Sequence, residues 1–554
     1  ITLKSICNFS TIGKIPNPDL LVLDEFSKML EQLHSNIYQK NEASKVYTVL
    51  KHMISNAKQV LIMDADITDV EVNWLRNIRA DVYVVMNTFD RNSGSLFVHP
   101  TRDSLRDKFI SILNNKERKN RPTVFCANTA SEIQTLEVYL KDKTSYQILS
   151  IHSQNSSNRE QQEFLKNPDK NIAKYDAVLI SPSAMTGIDI QTKVYAKFGN
   201  FAYSPHHTPS ATGCAQLLER SRNSNITHIW IEQANGKSEE DPEVIYEEYR
   251  LAALRSDAFL MGLEIDKAGI LNLSGVTKEI HEIQSQLIAR DNISRNNLYE
   301  NLLNLLARNY KIQPYEGTTG IHKQAIIEAA KARKDQWDHL VCTVKPVDDE
   351  MLEKMIRSNT AIDIHFAGNT RFHIETFYDM KITHRLYQFD KDGKGRYRVT
   401  NFVQAILMDP EVLCNFDWEE SNNETPLTAR EFRTMKAKTI NAFIEAVWGN
   451  RNQFLENPVM SKRDIAEKTN RFLEDHKEDV RLYFKYRHDH SQDPWNVAKR
   501  LLRRFGLNFK QIRSRDEFAV KHYKIDPSNF SYVQKLAKQH LDNVTKKRIS
   551  MFTI

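Results

Sequence analysis

The sequence predicts an α/β protein: two parallel-sheet units in tandem, the first with an incomplete sheet, followed by a mainly α-helical C-terminal region. Three observations predict it. Up to about residue 235, short apolar runs such as Leu20-Leu21-Val22-Leu23 alternate with amphipathic helical stretches. Several of these runs end in carboxylates, at the edge where open α/β sheets bind ligands. Beyond residue 236 the apolar spacing becomes helical and strand signals thin out.

The 554 residues leave room for three or four domains with substantial cores. With 40% hydrophobic and 27% charged residues the composition is that of a globular protein, and Gly is too scarce for extended disorder. Cys7, Cys126, Cys214, Cys342 and Cys414 form no CxxC pair, which argues against a zinc ribbon or a disulfide framework and for a reducing compartment. No apolar run reaches bilayer length and no signal peptide is recognisable, so the expected localisation is the cytoplasm or, for a viral protein, the replication compartment of a host cell. The net charge of +6 is unevenly spread: from Pro494 onward fourteen Lys or Arg face four acids, so the preceding residues sum to −4. A basic tail on a mildly acidic body is either a polyanion-binding surface or a solvated helical face.

The first unit, residues 1–95, reads as strand ends at Ile1–Ile6 and Leu20–Leu23, helices from Ser27 and from Ala43 to Asn56, a strand Gln59–Met63 ending in Asp64-Ala65-Asp66, a helix Val70–Ile78 and a strand Asp81–Val85. The order βαβαβ implies a parallel sheet with helical crossovers. Residues 96–236 repeat the pattern, with strands at 122–127, 146–150, 175–180, 194–198 and 227–232 and helices at 102–115, 130–141 and 210–219. Residues 237–380 read as a helical region. Residues 381–554 read as a second one that carries a hairpin over 384–402, turning at Asp392-Gly393, and the basic tail. Gly449 is the expected stop of a helix over 429–448.

Four stretches carry chemistry. Asp24-Glu25, at the end of the first apolar run, either caps the next helix or holds Mg²⁺ through water and orients an attacking water. Asp64 and Asp66 end the neighbouring strand, as a helix cap or as a link to the second unit. Thr186-Gly187-Ile188-Asp189 is an ordinary turn or a phosphate- and ribose-binding one, with Asp189 also placed to orient Arg220. Gln216-x-x-x-Arg220-x-Arg222 offers an amide for phosphate or water and a guanidinium able to reach a γ-phosphate; a solvated helix carries the same pattern. Asp390-Lys391-Asp392-Gly393 lacks a Glu at the twelfth position and reads as a turn rather than a calcium loop. His206-His207 and His488-Asp489-His490 lack further ligands at metal spacing. Trp495, Phe505, Phe509 and Tyr523, set among cations that include Arg503 and Arg504, are either a base-stacking surface or the core of a small helical domain.

LVLDEF, MDAD, VFCANT, SAMTGIDI and QLLERSR, in this order, resemble motifs II to VI of superfamily 2 helicases, and ITLKSI is similar to the region just before motif II. LDEF followed by Met29, Leu30, Gln32 and Leu33, with MDAD in the place of the usual SAT, is especially similar to the herpesvirus origin-binding family; plasmid replication proteins of the cyanobacterial type are also alike. The resemblance covers about residues 1–235 and implies two RecA-like lobes, ATP and Mg²⁺ as cofactors, and a DNA-dependent helicase or translocase acting in replication initiation of a plasmid or viral genome. It implies that Asp24 coordinates Mg²⁺, Glu25 is the general base, and Asp64 and Asp66 couple hydrolysis to domain movement. Thr186, Gly187 and Asp189 would touch the nucleotide, Gln216 its phosphates, and Arg220 and Arg222 its γ-phosphate. Asn128 and Thr129 would lie near the nucleic-acid backbone, and other replication proteins are possible partners. No GxxxxGK[ST] loop occurs in the 554 residues, and the resemblance places it upstream of Ile1. A non-hydrolysing DNA-binding scaffold and an RNA helicase are the alternatives.

Overall fold

The computed structural model describes residues 15–33, 42–87, 94–115, 121–182, 188–203, 209–234, 236–261, 275–317, 319–422, 430–486, 493–512 and 521–552. The expected strand at Ile1–Ile6, together with Thr186, Gly187, His206-His207 and His488-Asp489-His490, lies outside them.

In the first unit β1 (Leu20–Asp24) and β2 (Gln59–Met63) pair in parallel, Leu20 opposite Gln59 and Asp24 opposite Met63. Helices α1 (Phe26–Gln32), α2 (Glu42–Asn56) and α3 (Asp69–Ile78) accompany them. Because side chains alternate along a strand, Leu21 and Leu23 share a core with Val46, Leu50 and Ile54 of α2, while Leu20, Val22, Leu61 and Met63 on the other face are exposed. The expected strand over Asp81–Val85 does not form: no described residue pairs with it, and Tyr83 and Val85 are 89% and 93% exposed. An apolar run is a strand only where a neighbour completes its hydrogen bonds.

The second unit is a seven-stranded parallel sheet. It comprises β3 (Ser95–Val98), β4 (Thr123–Ala127), β5 (Ile148–Ile151), β6 (Ala177–Ile180), β7 (Val194–Phe201), β8 (Ser224–Ile231) and β9 (Lys311–Pro314), in the order β5-β6-β4-β7-β8-β3-β9. Helices α4 (Arg102–Leu113), α5 (Ala130–Lys143) and α6 (Ala211–Glu219) cross over between strands. β4 and β6 are buried at every position, which explains their unbroken apolar runs. β9 was not foreseen: it is short, and its Pro314 is tolerated because β9 is an edge strand paired only with β3.

Residues 237–380 do not stand apart as a helical region. After α7 (Pro242–Leu260), helix α8 (Gly275–Asn296) places Ile280, Ile283 and Leu287, spaced along one face, in the core of the first unit. Helix α9 (Leu298–Leu306) then buries Leu298, Leu302 and Leu306 against the second sheet, and β9 joins that sheet. Nor does a boundary fall at 380. One core runs from Ala252 of α7, through Ile374 and Tyr378, to Phe443, Phe472 and Leu536. It packs α10 (Lys323–Thr343) and α11 (Asp363–Tyr378) with the helices that follow.

The expected hairpin over 384–402 is a pair of helices, α12 (His384–Asp390) and α13 (Lys394–Phe402), with Leu386, Tyr387, Val399 and Phe402 buried. Asp392 and Gly393 have φ of 60° and 75°, and a left-handed pair ends a helix as readily as it turns a hairpin. The buried Asp390 carboxylate fixes the turn, accepting hydrogen bonds from the Tyr378 hydroxyl at 2.9 Å and from Arg396 N at 2.9 Å and Nε at 3.1 Å. Beyond it lie α14 (Arg433–Trp448), ended at Gly449 with φ 89° as expected, α15 (Lys462–Phe484), α16 (Pro494–Arg503) and α17 (Pro527–Phe552). A small antiparallel sheet of β10 (Met460–Ser461), β11 (Phe509–Ile512) and β12 (His522–Ile525) packs against them. Trp495 is buried, stacked on Phe509 at 4.7 Å and tilted against Tyr523 at 4.6 Å, and Phe505 is buried, so these aromatics are core rather than a base-stacking surface.

A Cβ on Gly395 would lie 2.5 Å from Asp390 Cα and 2.7 Å from the Phe389 carbonyl oxygen, both backbone atoms unable to rotate away. Gly395→Ala is expected to destabilise the C-terminal core by about 1–3 kcal/mol, the usual cost of overpacking. A thermal melt of the whole chain reads this as a lowered transition; an unchanged melt would contradict the close approach.

Candidate active site at the cleft between the two sheets

Where β1 ends the chain turns sharply. Glu25 adopts φ 52° and ψ 49°, a left-handed conformation that costs a non-glycine residue about 1 kcal/mol or more. Glu25 N donates to the Met63 carbonyl at 2.9 Å, locking the turn to the end of β2, and Phe26 is buried against Trp74. Asp24 and Glu25 are thereby left exposed at the mouth of a cleft of about 830 Å³ that both units line. Asp64 is inward and structural: its Oδ2 accepts from Ser27 N at 2.6 Å and its Oδ1 from Asp66 N at 2.7 Å.

The opposite wall is basic. The N-terminus of α6 is capped by Ser210, whose Oγ accepts from Gly213 N at 3.2 Å, and its last turn carries Gln216 into the cleft. Arg220 and Arg222 follow the helix. An isolated bridge between Ile190 and Ser221 holds them beside Asp189, with Ile190 N donating to the Arg220 carbonyl and Arg222 N to the Ile190 carbonyl. Asp189 pairs with Arg222, its Oδ1 2.5 Å from Nε, and accepts from Gln191 Nε2 at 3.1 Å; against its partial burial, the Gln191 hydrogen bond and then Arg222 hold its carboxyl below the ordinary range. Arg220 contributes Nη1 to the Ile188 carbonyl at 3.4 Å, and its buried Nε has no partner among the described residues. Asp189 therefore fixes Arg222 and leaves Arg220 as the less committed cation.

The two walls meet where Gln216 Nε2 donates to Asp66 Oδ2. Burial first, and the neighbouring Asp64 carboxylate second, push the Asp66 carboxyl up to about 6.

The sequence reading missed the groups beneath these walls. Arg290 of α8 pairs with Glu71 at 2.5 Å and Glu31 at 2.7 Å and lines the cleft. Lys197, almost wholly buried, pairs with Glu219 at 3.0 Å, and the Tyr310 hydroxyl donates to the same carboxylate at 2.5 Å. Arg290 lies some 220 residues from Glu71 in sequence, so no local spacing signals it.

Other expected residues fall elsewhere. Asn128 is buried, with its amide spanning the backbone of Ala202: Nδ2 donates to the carbonyl at 2.6 Å and Oδ1 accepts from N at 3.0 Å. Both ends of the amide are used inside the fold, so it is not a nucleic-acid contact. Thr129 is exposed at the start of α5. Arg503 is exposed, but Arg504 is committed to the Tyr397 hydroxyl and the Phe484 carbonyl, both at 3.1 Å.

No group of three or more His, Cys, Asp or Glu gathers as a metal cage among the described residues. The exposed Asp24 carboxylate instead suits Mg²⁺, which is held by one or two carboxylates together with substrate phosphates and water. A carboxylate wall facing an arginine wall is the charge pattern that a metal-bound triphosphate requires.

Residues 11–147 match the family model of the origin of replication binding protein. Over these residues the chain resembles that protein. The match includes Asp24-Glu25 and Asp64-Asp66 and stops before the arginine wall. Among solved structures, the yeast DEAD-box splicing factor Prp28 is 18% identical, over 48% of this chain and 53% of that one, with a TM-score of 0.22. Dbp5 of S. cerevisiae, bound to Gle1 and IP6, is 10% identical over 42% and 57%, with a TM-score of 0.30. The Mycobacterium smegmatis helicase Lhr, bound to ssDNA and AMP-PNP, is 11% identical over 81% and 58%, with a TM-score of 0.28. The chain thus spans between 53% and 58% of the length of these structures. No curated protein matches it. Among the described residues no helix is long and apolar enough to cross a membrane.

The raised Asp66 carboxyl makes a signed prediction. Folded, it keeps its proton up to about pH 6; unfolded, it loses it near 4. Its contribution to stability is complete below about pH 4 and is lost as pH rises through about 6. The melting temperature of the wild type, relative to Asp66→Asn, should therefore rise as pH falls from 7 to 5. Parallel pH profiles for the two proteins would remove burial in the cleft as the cause.

Proposed function

We propose that the protein is a nucleic-acid-dependent ATPase whose turnover drives movement along DNA, and opening of duplex, during replication initiation of a plasmid or viral genome. The observation that carries this reading is the gathering of Asp24, Glu25, Gln216, Arg220 and Arg222 around one cleft. Mg²⁺ bound with the triphosphate would neutralise charge on the β- and γ-phosphates. Asp24 would hold that ion through water. Glu25, thrown forward by its left-handed turn, accepts a proton from the attacking water. Arg220, whose Nε has no partner among the described residues, turns towards charge developing on the γ-phosphate, and Arg222 stays in place through Asp189. Asp66, held by Gln216 across the cleft, transmits the nucleotide state from one unit to the other. The origin-binding likeness of residues 11–147 supports DNA as the partner.

The test is ATP hydrolysis by the protein with single-stranded DNA, single-stranded RNA or neither. DNA should stimulate turnover. Glu25→Gln should lower kcat about 100-fold or more while ATP still binds, and Arg220→Ala about 1,000-fold. Unchanged turnover in either variant would remove that residue from the mechanism. Stimulation by RNA alone would make the enzyme an RNA helicase, and DNA binding without turnover would make it a scaffold.

A further inference from the structure

A second cavity, of about 450 Å³, lies between the second unit and the C-terminal helices. One wall is the first turns of α5, with Ser131 and Gln134, and His152 just beyond β5; the other is Arg333, Trp337 and Asp338 of α10 with Tyr387 and Lys391. The walls are joined by Arg333, which donates through Nη1 to the Gln134 amide oxygen and through Nη2 to Ser131 Oγ at 3.0 Å. Asp338 is tied by Gln388, whose Nε2 donates to Oδ2 at 2.7 Å.

Thirteen buried side-chain polar atoms among the described residues have no hydrogen-bond partner, and four line this one cavity: His152 Nδ1, Arg333 Nε, Asp338 Oδ1 and Lys391 Nζ. His152 and Asp338 are only 3% and 7% exposed. A buried polar atom left unpaired costs about 1–3 kcal/mol, so four around one space mark a place built for an occupant.

The chemistry of the walls selects among occupants. A lone phosphate would meet the Asp338 carboxylate, 3.6 Å from Lys391 Nζ, together with Glu137. A metal ion would meet Arg333 and Lys391. An apolar group would leave His152 Nδ1 and Arg333 Nε without a hydrogen bond and Asp338 and Lys391 with only their 3.6 Å ion pair across the space. What satisfies a carboxylate oxygen, two cationic N–H groups and an imidazole nitrogen between aromatic side chains is a planar ring with donors and acceptors along one edge. Burial holds His152 below its ordinary range, so the imidazole faces that ring neutral and able to accept.

We propose that this cavity takes one nucleobase, with Asp338 and Lys391 reading its hydrogen-bonding edge and Trp337 and Tyr387 walling its faces. Its supply as part of a strand rests on the nucleic-acid reading above; a free mononucleotide offers the same base. The cavity gives the C-terminal helices a hold on the ligand separate from the ATP cleft.

The experiment measures affinity of the whole protein, without ATP, for a labelled single strand of about twelve nucleotides and for an abasic strand of equal length and charge. The base-bearing strand should bind about tenfold or more tightly. Asp338→Asn and Lys391→Gln should each remove most of that difference while changing abasic binding by less than about twofold. Thymidine monophosphate is the second arm. If it displaces the strand from the wild type and not from the variants, a free base suffices. If it does not compete while the base effect persists, the base is read only within a strand. Equal affinity for the two strands, or variants that weaken both alike, would overturn the proposal. The assay needs no turnover, so failure here leaves the ATPase test standing, and failure of that test leaves a base-dependent affinity readable.

Discussion

The ion pair between Arg290 and Glu71 holds the cleft in register. Glu71 is fully buried and already accepts hydrogen bonds from Thr68 N at 2.8 Å and Oγ1 at 2.5 Å, which starts α3. Its second oxygen takes Arg290. A buried carboxylate with its partner removed is strongly destabilising, by about 3–5 kcal/mol. Arg290 also reaches Glu31 of α1, so a single guanidinium ties together α1, α3 and α8. Near its end α8 meets the second unit, where Ser294 Oγ accepts from Ala211 N at the first residue of α6. The helix that completes the first core is thus the strap that places α6, and with it Gln216, opposite Asp66.

Strain and satisfaction are distributed unevenly around that strap. The structural groups are fully partnered: both oxygens of Asp64 are used, Asp189 holds Arg222, and Lys197 is enclosed by Glu219 and the Ser221 carbonyl. Glu25 sits in a left-handed conformation on the end of a strand, and the buried Nε of Arg220 has no partner among the described residues. These two are the groups to which the proposed mechanism assigns proton transfer and charge stabilisation, the steps that need a side chain not already spent on the fold.

Much of this was legible in the sequence because it depends on local pattern. Unbroken apolar runs announce β1, β2, β4 and β6, and the residues at their ends are fixed by chain direction alone, so Asp24, Glu25, Asp64 and Asp66 could be placed before any contact was known. Gln216, Arg220 and Arg222 were found for the same reason, as the end of a helix before a strand. What failed was pattern that two structures share. Asp392-Gly393 supplies a left-handed turn to a hairpin or to a helix junction, and only the buried Asp390 and the close approach of Gly395 decide it. Asn128 has the polarity of a ligand-binding amide, yet its partner is backbone 74 residues away. The Asp81–Val85 run has strand composition without a partner, and β9 and Arg290 are visible only through contacts distant in sequence.

The two parallel sheets meet the cleft with opposite ends. The first unit offers the carboxyl ends of β1 and β2. The second offers the residues that precede β7 and β8, since Asp189 lies shortly before Val194 and Arg222 shortly before Ser224. Parallel strands carry ligand sites chiefly at their carboxyl ends. In the second unit that edge is therefore turned away from the cleft, with Thr129 following β4 and His152 following β5. The second cavity lies at this free edge, closed by α10 and the α12–α13 turn. The sheet thus has one end on the cleft and the other against the C-terminal helices. The C-terminal helices are fastened to that same edge through Arg333, which bonds Gln134 and Ser131.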